Sequence, residues 1–222
     1  MGNGFDLDWS VAINALPVLM QGVKFTIFIA IAGIGIGFLF GILTGISRLA
    51  KNKIIYGIAS IYVEVVRGTP IMVQALYIYF AIPMIFDTKI DPLIAGIFTI
   101  AINAGAYIAE IVRGAIQSVD KGQIEAGRSL GLSKVQTFYY VVWPQALKRM
   151  IPPLGNQFII SLKDTSLLTV IGVGELTRQG TIVVSSNFRA VEIYTIVAIL
   201  YLIMTLTISF GLRFMERRMQ IQ

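Results

Sequence analysis

The sequence predicts an all-α, polytopic membrane protein with about five transmembrane helices and a cytoplasmic two-helix segment. Three observations carry that expectation. Apolar runs fill the chain: 56% of its 222 residues are hydrophobic, and mean hydropathy is +0.78. Only 14% are charged, against about 25% in an ordinary soluble domain. The charges gather at the ends of the apolar runs, where they act as topogenic signals. The reading is of one membrane domain over 1–222, with a polar insert at about 118–147 and no separate soluble unit.

Five segments are expected to span. The first runs near Val18 to Ser47, and a bilayer takes roughly 20 apolar residues. It carries Gly33, Gly37, Gly41 and Gly45 at a four-residue repeat. That repeat makes one smooth stripe on which a second helix can approach closely. The second segment runs near Ile54 to Phe86 and is interrupted by Arg67-Gly68-Thr69-Pro70. Proline removes a backbone donor there, so a break is expected. The third runs near Pro92 to Val112, the fourth from Pro152-Pro153 to about Val173, and the fifth near Val191 to Phe214. The loop between the last two contains Glu175 and Arg178. It reads either as a solvated turn or as an external contact and gate.

Basic residues follow the first span, fill the stretch between the third and fourth, and follow the fifth. This asymmetry places the N-terminus outside and the C-terminus, ending at Gln222, in the cytoplasm. The location expected is the bacterial cytoplasmic membrane. Asp6 and Asp8 stand where a cleaved signal peptide would carry Lys or Arg, which argues against such a signal.

Composition also excludes chemistry. With no Cys and no His, disulfides, thiolate metal sites, a cysteine nucleophile and imidazole catalysis are all out of reach. No catalytic residue, metal site or cofactor is expected in this chain. The net charge of +6 is distributed as membrane topology requires, and no nucleic-acid partner is inferred from it. Membrane lipid is the expected surroundings.

The polar insert has its own logic. Asp120 suits an N-cap, with Gln123 three residues on. Gly131 suits the left-handed residue just past a helix end. Ser133 and Gln136 form a capping box for a second helix, which Pro144 is expected to end or bend. A helix, a sharp turn and a second helix make a rigid elbow able to carry force.

The string E-A-G-R-S-L-G-L-S-K-V-Q-T-F-Y-Y-V-V-W-P, Glu125 to Pro144, resembles the coupling segment of binding-protein-dependent ABC transporter permeases. Those carry Glu-Ala-Ala, a Gly four residues beyond, and a hydrophobic ending in Leu-Pro. Glu125, Ala126, Gly131 and Pro144 match; Gly127 replaces the second Ala and Trp143 the Leu. E-V-V-R-G-T-P-I-M-V-Q, N-A-G-A-Y-I-A-E-I-V-R-G and P-P-L-G-N-Q-F-I-I-S-L-K-D-T-S-L resemble the polar amino-acid subfamily, which includes glutamine, arginine and histidine permeases. The resemblance covers nearly the whole chain. It implies a translocation subunit for import, docked through Glu125, Ala126, Gly127, Gly131 and Pro144 to an ATPase present in two copies. It further implies a second permease chain, expected to be identical, an extracytoplasmic solute-binding protein and an amino-acid substrate. No G-x-x-x-x-G-K-[ST] phosphate loop occurs in the chain, so ATP and Mg belong to the partner. A secondary transporter or channel working without an ATPase is the alternative. Such transporters commonly show two related halves, and no internal repeat is evident here.

Polar residues within spans are expensive and point to function. Glu64 and Arg67, three apart, can pair with each other or serve a pathway. Gln74 and Tyr77 follow the break and can line a cavity. Asn103, Tyr107 and Glu110 share one helical face, while Asn156 and Lys163, seven apart, share another beside Asp164. Together they form a candidate substrate pathway, since a zwitterion needs both donors and acceptors. Internal pairing is the competing reading for each of them.

Overall fold

The computed structural model describes residues 7–218; Asp6 and Gln222 lie outside the described residues. Among the described residues there are helices and turns but no strands. Helix α1, Trp9–Ser47, starts nine residues before the expected span. Asp8 causes this by capping it, accepting from the Ser10 amide at 3.0 Å and the Ser10 hydroxyl at 2.6 Å. Those two bonds hold the Asp8 carboxyl below the usual carboxylate range. At 39 residues, α1 is about 58 Å long, well beyond a hydrocarbon core of about 30 Å.

The glycine stripe meets α5, Pro92–Gln117, whose Asp91 cap accepts from the Leu93 amide at 2.8 Å. A Cβ on Gly37 would stand 2.7 Å from the Ala101 carbonyl oxygen, and one on Gly41 2.5 Å from Ile108 Cγ2. The two backbones are therefore in direct contact, and side chains such as Ile100 and Ile108 fill the notches. Ile29 and Ile100 anchor one apolar cluster, and Ile108, Val112 and Met150 another.

Helix α2, Lys53–Gly68, stops at Thr69-Pro70. Helix α3, Ile71–Leu76, then runs through a π turn, Tyr77–Ala81, into α4, Ile82–Ile85. The two halves meet at a 107° bend, as expected from the Gly68–Pro70 interruption.

Helix α6, Lys121–Ser129, and α7, Lys134–Thr137, form the elbow. Gly131 has φ 85°, so the left-handed position predicted for it is occupied. The Leu132 amide donates to Gly127 O at 3.2 Å and the Gly131 amide to Arg128 O at 3.0 Å, a paired C-terminal cap. The Ser133–Gln136 capping box is present. Pro144 does not end the helix that Ser133 caps, which runs on through it. A π turn, Phe138–Val142, precedes it, and Pro144 sits in the first turn of α8, Trp143–Asp164. Pro83 likewise follows the other π turn. The wider π ring removes the i−4 contact that a proline ring would otherwise strike.

The expected fourth span is the second half of α8 plus a 3-10 turn, Thr165–Ile171. By length and composition, three helices of the described chain can cross a membrane: α1, α5 and α10, which runs Ala190–Arg218. Counted as one broken span, the bent pair of α2 with α3–α4 makes a fourth. The polar side chains of α8 keep it out of that count. Helix α9, Leu176–Asn187, was not expected. Glu175 caps it, accepting from the Thr177 and Arg178 amides at 2.8 and 2.7 Å and from the Tyr201 hydroxyl at 2.9 Å. Glu175 is fully buried. It is a structural cap between α9 and α10, and the solvated-turn reading fails for it.

Candidate functional site

The break between α2 and α3 leaves backbone carbonyls without helical partners. Gln74 satisfies two of them. Its Nε2 donates to Val66 O at 2.7 Å, Thr69 O at 3.0 Å and Thr69 Oγ1 at 3.0 Å. Its Oε1 accepts from Asn103 Nδ2 at 3.1 Å. The bend is thereby fastened to the middle of α5.

This fastening shapes a cavity of about 500 Å³ lined by Arg67, Gly68, Thr69, Pro70, Ile71, Asn103, Tyr107, Gln157, Ile160 and Asp164. Two other hollows of similar size, about 520 and 650 Å³, have almost wholly apolar linings without a charged residue. Only the first offers both charges and several amide groups, the mix that a small polar solute requires. Arg67 stands over the Tyr107 ring, 5.4 Å from its centroid, close enough for a cation–π attraction. Gln157, on α8, is buried and donates to Ser161 Oγ at 3.2 Å.

At one end of the cavity lies an ion network. Glu110 pairs with Arg48, with Arg113 at 2.7 Å and with Arg67 at 3.9 Å. Arg48 also reaches Glu64 at 3.3 Å. Arg48 has 8% side-chain exposure, so its charge is largely withdrawn from solvent. The pairing expected between Glu64 and Arg67 is absent among the described residues. Each takes a partner from another helix, because α1 and α5 bring Arg48 and Glu110 closer.

The structure therefore divides the sequence-predicted pathway. Arg67, Asn103, Tyr107 and Asp164 line the cavity. Gln74 stands behind it and holds the bend. Glu64 and Glu110 belong to the ion network. Tyr77 is exposed on the π turn, and Asn156 and Lys163 are exposed on α8 outside the cavity lining. Thr69 and Gln157 were missed. Thr69 lay within the expected break. Gln157 is adjacent to Asn156, and it is the one whose side chain α8 turns to the cavity.

On the elbow, Gly127 is buried, and a Cβ there would lie 3.1 Å from Thr137 Cγ2 and 3.4 Å from Val141 Cγ2. Glycine thus lets α6 seat directly on the second helix. Leu130 (83% exposed), Val135 (77%), Tyr139 and Tyr140 leave apolar surface bare on this polar segment. Among the described residues no group of three or more Asp, Glu, His or Cys could hold a metal ion.

Broken spans, a polar cavity and an elbow with an apolar face define a membrane translocation subunit. The chain belongs to the family of binding-protein-dependent transport system inner membrane components, which it matches over residues 37–221. It is 54% identical over 215 residues to the glutamine transport system permease protein of Escherichia coli K12, covering 96% of this chain and 98% of that one. It is 35% identical to an L-cystine transport system permease protein of Bacillus subtilis, covering 96% and 92%. A crystal structure of an amino acid ABC transporter with histidines superposes with a TM-score of 0.92 at 41% identity, over 96% of this chain and 100% of that one. The fold is that of an ABC-transporter permease. As a member of this family the chain is a transport subunit, with ATP hydrolysis on a separate ATPase. The unaided transporter or channel is not favoured.

Proposed function

We propose that this chain forms the pathway of an importer for polar amino acids, with L-glutamine as the first substrate to test. Similarity to the glutamine permease supports the substrate class. The cavity supports it chemically: Arg67 offers a cation for a carboxylate, Asp164 an anion for an ammonium, and Asn103 and Gln157 offer amides to a polar side chain.

In this reading five spans cross the cytoplasmic membrane, the fourth formed by α8 with its 3-10 extension. The N-terminus is outside, and the elbow and C-terminus are in the cytoplasm. Two ATPase chains bearing ATP and Mg dock on two identical permease chains, and an extracytoplasmic solute-binding protein delivers the substrate. The elbow, with Glu125, Ala126, Gly127, Gly131 and Pro144, is the coupling segment. ATPase closure pushes it, and α8, continuous with its second helix, carries the displacement to Gln157 and Asp164 in the cavity.

The continuity from Ser133 through Trp143 to Asp164 carries this mechanism. Glu125→Lys or Gly131→Asp is expected to lower ATP-driven L-glutamine uptake at least tenfold in proteoliposomes holding the full complex. Solute-stimulated ATP hydrolysis would fall or run without transport. Normal uptake in both variants would refute coupling through the elbow.

A further inference from the structure

The hydrogen bonds around Gln74 have a definite direction. Backbone carbonyls only accept, so Val66 O and Thr69 O fix the Gln74 NH2 group toward the bend. Thr69 commits its hydroxyl proton to Val65 O at 2.9 Å, so its oxygen must also accept from Gln74. Gln74 then turns only its Oε1 to Asn103, and Asn103 must answer with its NH2 group at 3.1 Å. The Asn103 amide therefore has one orientation. Its Oδ1 accepts nothing among the described residues, and Asn103 lines the cavity.

We propose that Gln74 is a positioning residue that sets the polarity of the solute site: through the Gln74 Oε1–Asn103 Nδ2 bond it holds the Asn103 carbonyl oxygen toward the cavity as an acceptor for an N–H group of the solute. This rests on the reading of the cavity as the solute site. An unanchored asparagine would present either end of its amide at little cost. The anchored one presents an acceptor on the same lining as Asp164, leaving Arg67 as the cation for the carboxylate.

The test is a double-mutant cycle on direct binding of radiolabelled L-glutamine to the permease–ATPase complex in nanodiscs, without the solute-binding protein. Gln74→Lys keeps donors for the Val66 and Thr69 carbonyls but can only donate to Asn103, so the Asn103 amide reverses. Binding is expected to weaken at least tenfold. In the Asn103→Leu background the same substitution should cost less than a further twofold, because Gln74 acts through Asn103. Binding within twofold of the parent in Gln74→Lys would overturn the proposal and leave Gln74 as a mere strap on the bend. A further tenfold loss in the Asn103→Leu background would overturn it as well, since Gln74 would then act on its own. If Gln74→Lys does not assemble, Gln74→Met takes its place: it frees the Asn103 amide without reversing it, so a smaller loss of about threefold is expected in the parent and none in the Asn103→Leu background, and an equal loss in both backgrounds would overturn the proposal. Asp164→Asn separates the two claims. If it leaves parental binding unchanged, or if the parent complex does not bind L-glutamine, the cavity reading fails and this proposal fails with it.

Discussion

Gly41 and Gly35 lie on the same helix and have opposite duties. A Cβ on Gly41 would meet Ile108 Cγ2 at 2.5 Å and Gly105 O at 2.9 Å, whereas Gly35 has nothing within 4 Å. Gly41→Val should therefore overpack the α1–α5 contact and destabilise by about 1–3 kcal/mol. Gly35→Ala should be neutral or stabilising by up to about 1 kcal/mol, because alanine is the better helix former. Thermal unfolding of the two purified variants checks the contrast; equal effects would contradict it. The duty of Gly41 was readable from the four-residue spacing of the stripe alone. The pairing of Glu64 and Arg67 was not, because spacing within one helix says nothing of the ions that other helices supply. Glu64 went to Arg48, and Arg67 to Glu110.

At the scale of elements, caps were the most legible feature. Asp120, Gly131, Ser133 and Gln136 each took the place that local backbone chemistry assigns them. These decisions are made within a few residues, so a sequence states them directly. Ser133→Ala removes the hydroxyl that accepts from the Gln136 amide at 3.3 Å. It should destabilise the second elbow helix by about 1 kcal/mol. Hydrogen exchange of the amides of 134–142 in the variant should quicken severalfold while α1 and α5 stay unchanged; unchanged exchange at 134–142 would contradict this. The π turns were illegible, and one of them is why Pro144 does not end the second elbow helix. Gln157 was missed for a different reason: Asn156 and Lys163 were paired by their spacing, and spacing within one helix does not say which of its faces meets the bend. Helix α9 was hidden because a buried acidic cap such as Glu175 looks the same in sequence as a solvated one.

For the whole molecule, hydropathy gave an all-helical membrane protein and the break in its second span. It also counted an apolar fourth segment that the structure builds as a polar-faced helix with a 3-10 end. The cavity is polar because that segment and the bend face each other, an arrangement that composition averages away. The elbow and the cavity are joined by one continuous helical path, and this path is the reason to read the chain as a driven subunit. The most direct measurement is L-glutamine uptake into proteoliposomes holding this chain alone, or with its ATPase, the solute-binding protein and ATP. The account predicts accumulation only in the complete system and none with the chain alone; concentrative uptake by the chain alone would contradict it.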